Sequence, residues 1–158
     1  MKLVECIPNF SEGRDASKIK EITDSIESVD GITLLDVDPG SDTNRTVVTF
    51  IGNPKAVEKA AFLAIKTASR VIDMTQHEGA HSRIGATDVC PFVPINDFSD
   101  KDCIQLSKNV AKRVGNELNI PIYLYEKSAK KQYRSSLPDI RKGEYESLPE
   151  KLNDPKWK

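Results

Sequence analysis

Apolar runs alternate with polar, glycine- or proline-bearing stretches along most of the chain, and each run has the period of one element. Lys2–Ile7 is a β-rich run that stops at Pro8. Asn9–Arg14 is polar and holds a glycine, which predicts a loop. Asp15 can cap a helix, and Ile19, Ile22, Ile26 and Val29 recur at helical spacing until Asp30-Gly31. Ile32–Asp38 alternates as a strand, Pro39–Asp42 reads as a turn, and Thr46–Ile51 is a β-branched second strand. Asn53-Pro54 then marks a helix start, followed by a small-residue face of Val57, Ala60, Ala61, Ala64 and Ala68. His77–Ala86 reads as loop, and Asp88–Val93 as a strand ended by Pro94. Ser99 and Asp102 fit a capping box ahead of the stripe Cys103, Leu106, Val110, Val114 and Leu118. Ile120–Tyr125 reads as one more strand. Ser128–Lys158 is charge-rich with scattered prolines, which predicts a short helix, turns and an extended tail.

The order β-α-β-β-α-β is the split βαβ, or ferredoxin-like, pattern, here with an additional αβ extension. The fold class expected is an α+β sandwich, with helices on one face of a mixed or antiparallel sheet. In that topology the loop after strand one, the hairpin and the loop before strand four meet at one end of the sheet. These are Asn9–Arg14, Asp38–Arg45 and His77–Gly85, the most polar stretches of the first hundred residues. Three such loops at one end predict a site. On strand two, Leu35 and Val37 share one side and Asp36 and Asp38 the other. The next strands lack that contrast, so the outer sheet face is too apolar for solvent. A partner chain or a second domain is expected to cover it.

Composition narrows the class. At 158 residues and 17.6 kDa, residues 1–158 make one domain. A net charge of −1, from 23 basic and 24 acidic residues, leaves no electrostatic footprint for nucleic acid or an anionic membrane. Cys6, Cys90 and Cys103 cannot all pair, which points to a reducing compartment. No apolar run approaches a membrane span, and the apolar stretch in MKLVECIPNF is too short for a signal peptide. A soluble, cytoplasmic protein is expected.

Both histidines fall in one stretch, His77-Glu78-Gly79-Ala80-His81-Ser82-Arg83. Histidine suits proton shuttling near neutral pH, and a glycine loop at the convergent end is a plausible place for it. The letters H-E-x-x-H also match a zinc-protease helix, but Gly79 weakens a helix and no third histidine follows, so no metal is expected. Asp38, at the end of its strand, could orient a histidine or cap the following turn. Asn9, Glu12 and Arg14 could bind ligand or form a turn and cap. Arg45 and Arg83 could hold substrate carboxylates or sit on the surface. The cysteines read as packing residues. Neither a G-x-G-x-x-G nor a Walker motif occurs, so no nucleotide cofactor is indicated.

The motifs in order resemble the glutamate formiminotransferase family. Cys6–Gly13, Leu34–Asp38 with Thr43–Thr46, Ile72–Met74 followed by His77-x-Gly-x-His81-x-Arg83, Gly85–Phe92, Pro121–Tyr125 and Gly143–Glu146 carry the resemblance. It covers the N-terminal subdomain of the formiminotransferase domain, which in that family is ferredoxin-like. The resemblance implies transfer of a formimino group from N-formimino-L-glutamate to N5 of tetrahydrofolate, late in histidine degradation. His81 falls on the family's catalytic base and Asp38 on the carboxylate that supports it. Asn9, Glu12, Arg45, His77 and Arg83 are expected to contact substrate or folate. Ser82 stands where the family usually has proline. The family's second, similar subdomain is expected to be absent after Lys158. The partner would then be a homodimer mate or a complementary C-terminal subdomain. The alternative is a folate-binding or interaction module without turnover.

Overall fold

The computed structural model describes residues Met1 to Lys158. Pro8 cuts the first apolar run into β1 (Leu3–Cys6) and β2 (Asn9–Phe10). A proline has no N–H to give a ladder. Its carbonyl still accepts the Val48 N–H at 3.0 Å, so pairing resumes on the far side. Helix α1 (Ala16–Glu27) follows, capped by Asp15, whose carboxylate accepts from the N–H groups of Ser17 and Lys18. Strands β3 (Ile32–Gly40) and β4 (Arg45–Gly52) form the hairpin. Helix α2 (Pro54–Val71) starts on an Asn53 cap with proline at its first position. Strands β5 (Thr87–Val89) and β6 (Phe92–Asn96) precede α3 (Asp100–Leu118), which carries the Ser99/Asp102 capping box.

Every neighbouring pair in the sheet is antiparallel. Strand β4 pairs with β3 on one side and with β1 and β2 on the other, while β6 and β5 pair with β1 and β2 in turn. Val4, Cys6, Phe10, Val48 and Phe50 point from the sheet into one core with Ile22, Ile26, Val57, Val110 and Val114 of the helices. Alanines 60, 61, 64 and 68 let α2 lie close on the sheet. Burying one such phenylalanine is worth roughly 1.5–3 kcal/mol. No helix is long and apolar enough to cross a membrane.

Several expectations need correction. Asn9 and Phe10 are strand, not loop, because Pro8 interrupts the ladder without ending it. The strand expected at Asp88–Val93 is broken at Cys90-Pro91 and runs on to Asn96. Pro94 sits inside it, opposite Val4, which the sheet tolerates because β6 is an edge. The turn falls at Ser41–Asn44, since Pro39 and Gly40 still pair with Thr46 and Arg45. A bulge inserts Leu35 between the pairs Leu34–Phe50 and Asp36–Thr49. Leu34 and Val37 therefore pack on the core, and Leu35 is 53% exposed. Asp36 and Asp38 keep their common outer side. Val93 and Ile95 are also exposed, so the outer face carries apolar side chains in the open.

Ile120–Tyr125 forms no strand: Pro121 offers no donor, and the segment lies along a cavity instead of a sheet edge. The tail is less extended than its composition predicts. It folds into α4 (Leu137–Arg141), α5 (Leu148–Asn153) and single 3₁₀ turns. Trp157 packs edge-on against Tyr123 and Tyr133, at 5.9 and 5.4 Å between ring centres.

Candidate active site

Hydrogen bonds stitch three loops together at one end of the sheet. Asn44, in the hairpin turn, is the hub, and it takes a left-handed φ of 49° that asparagine tolerates. Its side-chain oxygen accepts from the Gly13 N–H at 2.9 Å, and its side-chain nitrogen donates to the Glu78 carbonyl at 3.0 Å. Its own carbonyl accepts from His77 Nε2 at 2.8 Å. Ala80 N–H donates to the Asp42 carbonyl at 3.0 Å. Gly79 makes the approach possible, because a Cβ there would lie 2.3 Å from the Thr43 carbonyl oxygen.

Beneath the loops are two ionic knots. In the first, the Asp88 carboxylate, fully buried, takes Arg45 Nη1 at 2.6 Å, the Ile84 N–H at 2.6 Å and Arg141 Nη2. Arg45 also donates through Nε to Asn9 Oδ1 at 3.0 Å. In the second, Arg83, only 6% exposed, donates through Nε to His77 Nδ1 at 2.9 Å. Its two outer nitrogens meet Glu146 at 2.9 and 2.6 Å, and Nη1 also reaches Glu144 at 3.2 Å. The Arg83 hydrogen bond holds the Glu146 carboxyl down at about 2, and Glu146 in turn raises the Arg83 guanidinium above its ordinary value.

These partners sort the predicted residues. Asn9, Arg45, His77 and Arg83 are bound to other groups of the protein. Glu12 accepts the N–H groups of Arg14 and Asp15 at 3.0 and 3.1 Å, leading the chain into α1. His77 has both ring nitrogens committed, and residues 77–81 are not helical, so H-E-x-x-H does not present two histidines on one face. His81 is half-buried, and only its Nδ1 is engaged, 2.5 Å from the Ser82 carbonyl. Asp38 is exposed on the outer face, and its carboxylate has no hydrogen bond or ion pair, to His81 or to any other side chain. Arg14 spends only its Nε, on the Ser41 carbonyl at 2.9 Å. A cavity of about 520 Å³ lies among α2, α3, β5 and the tail; Asp88 reaches its wall, but none of the predicted site residues does.

The model of the formiminotransferase domain, N-terminal subdomain, matches residues 3–158. The chain belongs to this family. It is 52% identical over 157 residues to the formimidoyltransferase-cyclodeaminase of Dictyostelium discoideum, covering 99% of this chain and 29% of the relative. It is 49% identical to the glutamate formimidoyltransferase of Streptococcus pyogenes over 99% of this chain and 52% of the relative. Against the glutamate formimidoyltransferase of Thermoplasma acidophilum it is 47% identical over 100% of this chain and 53% of that relative. The chain thus spans about half the length of such transferases. Within this formiminotransferase subdomain, Asp88, Arg141, Glu144 and Glu146 do what no local pattern announced, since each partner is far away in sequence. The Gly143–Glu146 motif was the one signal that a tail residue mattered.

Proposed function

We propose that the chain is one half of a glutamate formimidoyltransferase, moving the formimino group of N-formimino-L-glutamate to N5 of tetrahydrofolate, with His81 as base and Asp38 as its supporting carboxylate. One observation carries the choice of base: of the two histidines, only His81 keeps a ring nitrogen, Nε2, without a protein partner. Asp38 and His81 are not hydrogen-bonded to each other here; pairs of this kind tighten when substrate fills a site. Support for their partnership is the seam between hairpin and His loop, where Ala80, next to His81, holds Asp42.

Tetrahydrofolate would supply a nucleophilic ring nitrogen. Support for a flat heterocycle is apolar surface on the outer face: exposed Leu35 lies on β3, the strand that carries Asp38. His81 would accept the proton released at N5 and return it to the nitrogen departing with glutamate. Acid–base help of this type contributes ~10²–10⁴-fold, and holding both substrates in place supplies much of the rest. Arg45 and Arg83 are already neutralised by Asp88, Glu144 and Glu146. Arg14, exposed on the first loop, is the cation left for a glutamyl carboxylate.

The strand order supports a ferredoxin-like frame for the subdomain. Its open outer face and the twofold greater length of the transferase relatives support a second subdomain as the covering partner. The test is a formimino-transfer assay on this chain, alone and mixed with a separately made second half. Turnover that disappears in His81→Ala supports the reading. Turnover indifferent to His81 overturns it. Folate binding without turnover under either condition would favour the binding-module alternative.

A further inference from the structure

We infer that Cys6 and Cys90 are an internal oxidation site, a thiol pair that a peroxide converts to a disulfide and a dithiol reverses. Their sulfurs lie 3.6 Å apart. Cys6 is on β1 with no exposed surface, and Cys90 is half-buried in the break between β5 and β6. Cys90 also forms part of the wall of the 520 Å³ cavity, which offers a small oxidant a path to one sulfur of the pair. Cys103, on α3, has no sulfur neighbour and is the internal control.

The backbone between the two is built to give. The ladder pairs Cys6 with Phe92 and Asn9 with Val89, so Cys90 lies diagonally across from Cys6. A disulfide needs its sulfurs at about 2.05 Å, so they must close by roughly 1.5 Å. The residues that must move, Ile7-Pro8 and Cys90-Pro91, stand outside the regular ladder. A single cross-strand bond, Ile7 N–H to the Pro91 carbonyl at 3.2 Å, joins these two breaks. A diagonal pair held by moved backbone makes a reducible disulfide, not an inert one.

The order of attack follows from burial. Burial, and then the neighbouring Cys90, push the Cys6 thiol well above its ordinary value, which keeps it protonated. Cys90, which lines the cavity while Cys6 does not, is oxidised first. Its sulfur takes one oxygen from the peroxide, the O–O bond breaks, and water leaves, giving a sulfenic acid. The Cys6 sulfur then attacks that sulfur; the S–S bond forms, the S–O bond breaks, and the hydroxyl leaves as water with the Cys6 proton. Two thiols and one hydrogen peroxide become a disulfide and two waters. Cys90 lies two residues beyond Asp88, so closure pulls on the carboxylate that holds Arg45 and Arg141.

The experiment treats the folded chain with hydrogen peroxide, then denatures it, alkylates free thiols and maps peptides without reduction. Expected is a Cys6–Cys90 linked peptide, about 2 Da lighter than the two reduced peptides. Cys103 should be alkylated, and dithiothreitol should restore all three thiols. Cys103→Ser should form the same link. In Cys90→Ser, which changes the half-buried partner and keeps Cys6 in place, peroxide should leave Cys6 free to alkylate. Three alkylated cysteines in the wild type after peroxide exposure that oxidises free cysteine would overturn the inference. So would Cys6 oxidation at an undiminished rate in Cys90→Ser.

Discussion

Arg83 donates to Nδ1 of His77 at 2.9 Å, and this bond decides what His77 can be. A guanidinium has only hydrogens to give, so Nδ1 must offer its lone pair. The proton then sits on Nε2 and goes to the Asn44 carbonyl at 2.8 Å. His77 is a brace between the hairpin and the knot below, with both ring nitrogens spent inside the protein. His77→Ala strands two buried partners and should cost about 1–3 kcal/mol of stability. Urea unfolding would measure it; an unchanged midpoint would mean that the brace carries no load.

His81 differs in the same terms. With one ring nitrogen free and the side chain half-buried, its removal strips little packing. His81→Ala should leave unfolding within about 0.5 kcal/mol of wild type. In the reconstituted transferase it should lower kcat by ~10²-fold or more. His77→Ala should show the reverse balance: more stability lost and less turnover lost. Equal, mild losses of turnover in both variants would sink the assignment of the base.

Asp88 is the riskiest carboxylate to touch. Its side chain has no exposed surface, and it answers two arginines at once. Asp88→Ala leaves Arg45 and Arg141 charged and uncompensated, at a cost of roughly 3–5 kcal/mol. Equilibrium denaturation should show this; a loss under about 1 kcal/mol would mean that water replaces the carboxylate.

Acid should release the tail before it unfolds the core. Glu146, held at about 2 against an ordinary 4.5, contributes stability that is complete above 4.5 and lost as pH falls toward 2. The chain's single tryptophan, Trp157, reports on the tail. Its fluorescence should change across that window in the wild type, and the step should shrink in Glu146→Gln. An identical acid transition in both would place the release elsewhere.

The parts of this fold that were legible in the sequence are those decided by near neighbours. Asp15, Asn53 with Pro54, and Ser99 with Asp102 each start their helix as read, because a cap is a contact within three residues. Prolines misled. Pro8 and Pro94 read as stops, yet one lies at a break that the ladder bridges and the other on an edge that needs no donor. The bulge at Leu35 was invisible, since an inserted residue shows only against its partner strand. Ile120–Tyr125 had the composition of a strand and no edge to join. At the site, the convergence of loops followed from element order alone. The internal partners of Arg45 and Arg83 did not, because Asp88, Glu144 and Glu146 lie tens of residues away along the chain.

The grip of Glu144 and Glu146 on Arg83 sets a timetable. These contacts span more than sixty residues, and every other part of the His loop is in place long before them along the chain. During synthesis the sheet, α1, α2 and α3 can all form while Arg83 still waits for its acids. On the ribosome this second latch on the loop that carries His81 closes only after the elements of the core have emerged, and a chain cut before Glu144 would keep those elements and the Asn44 seam but lose the Arg83 latch.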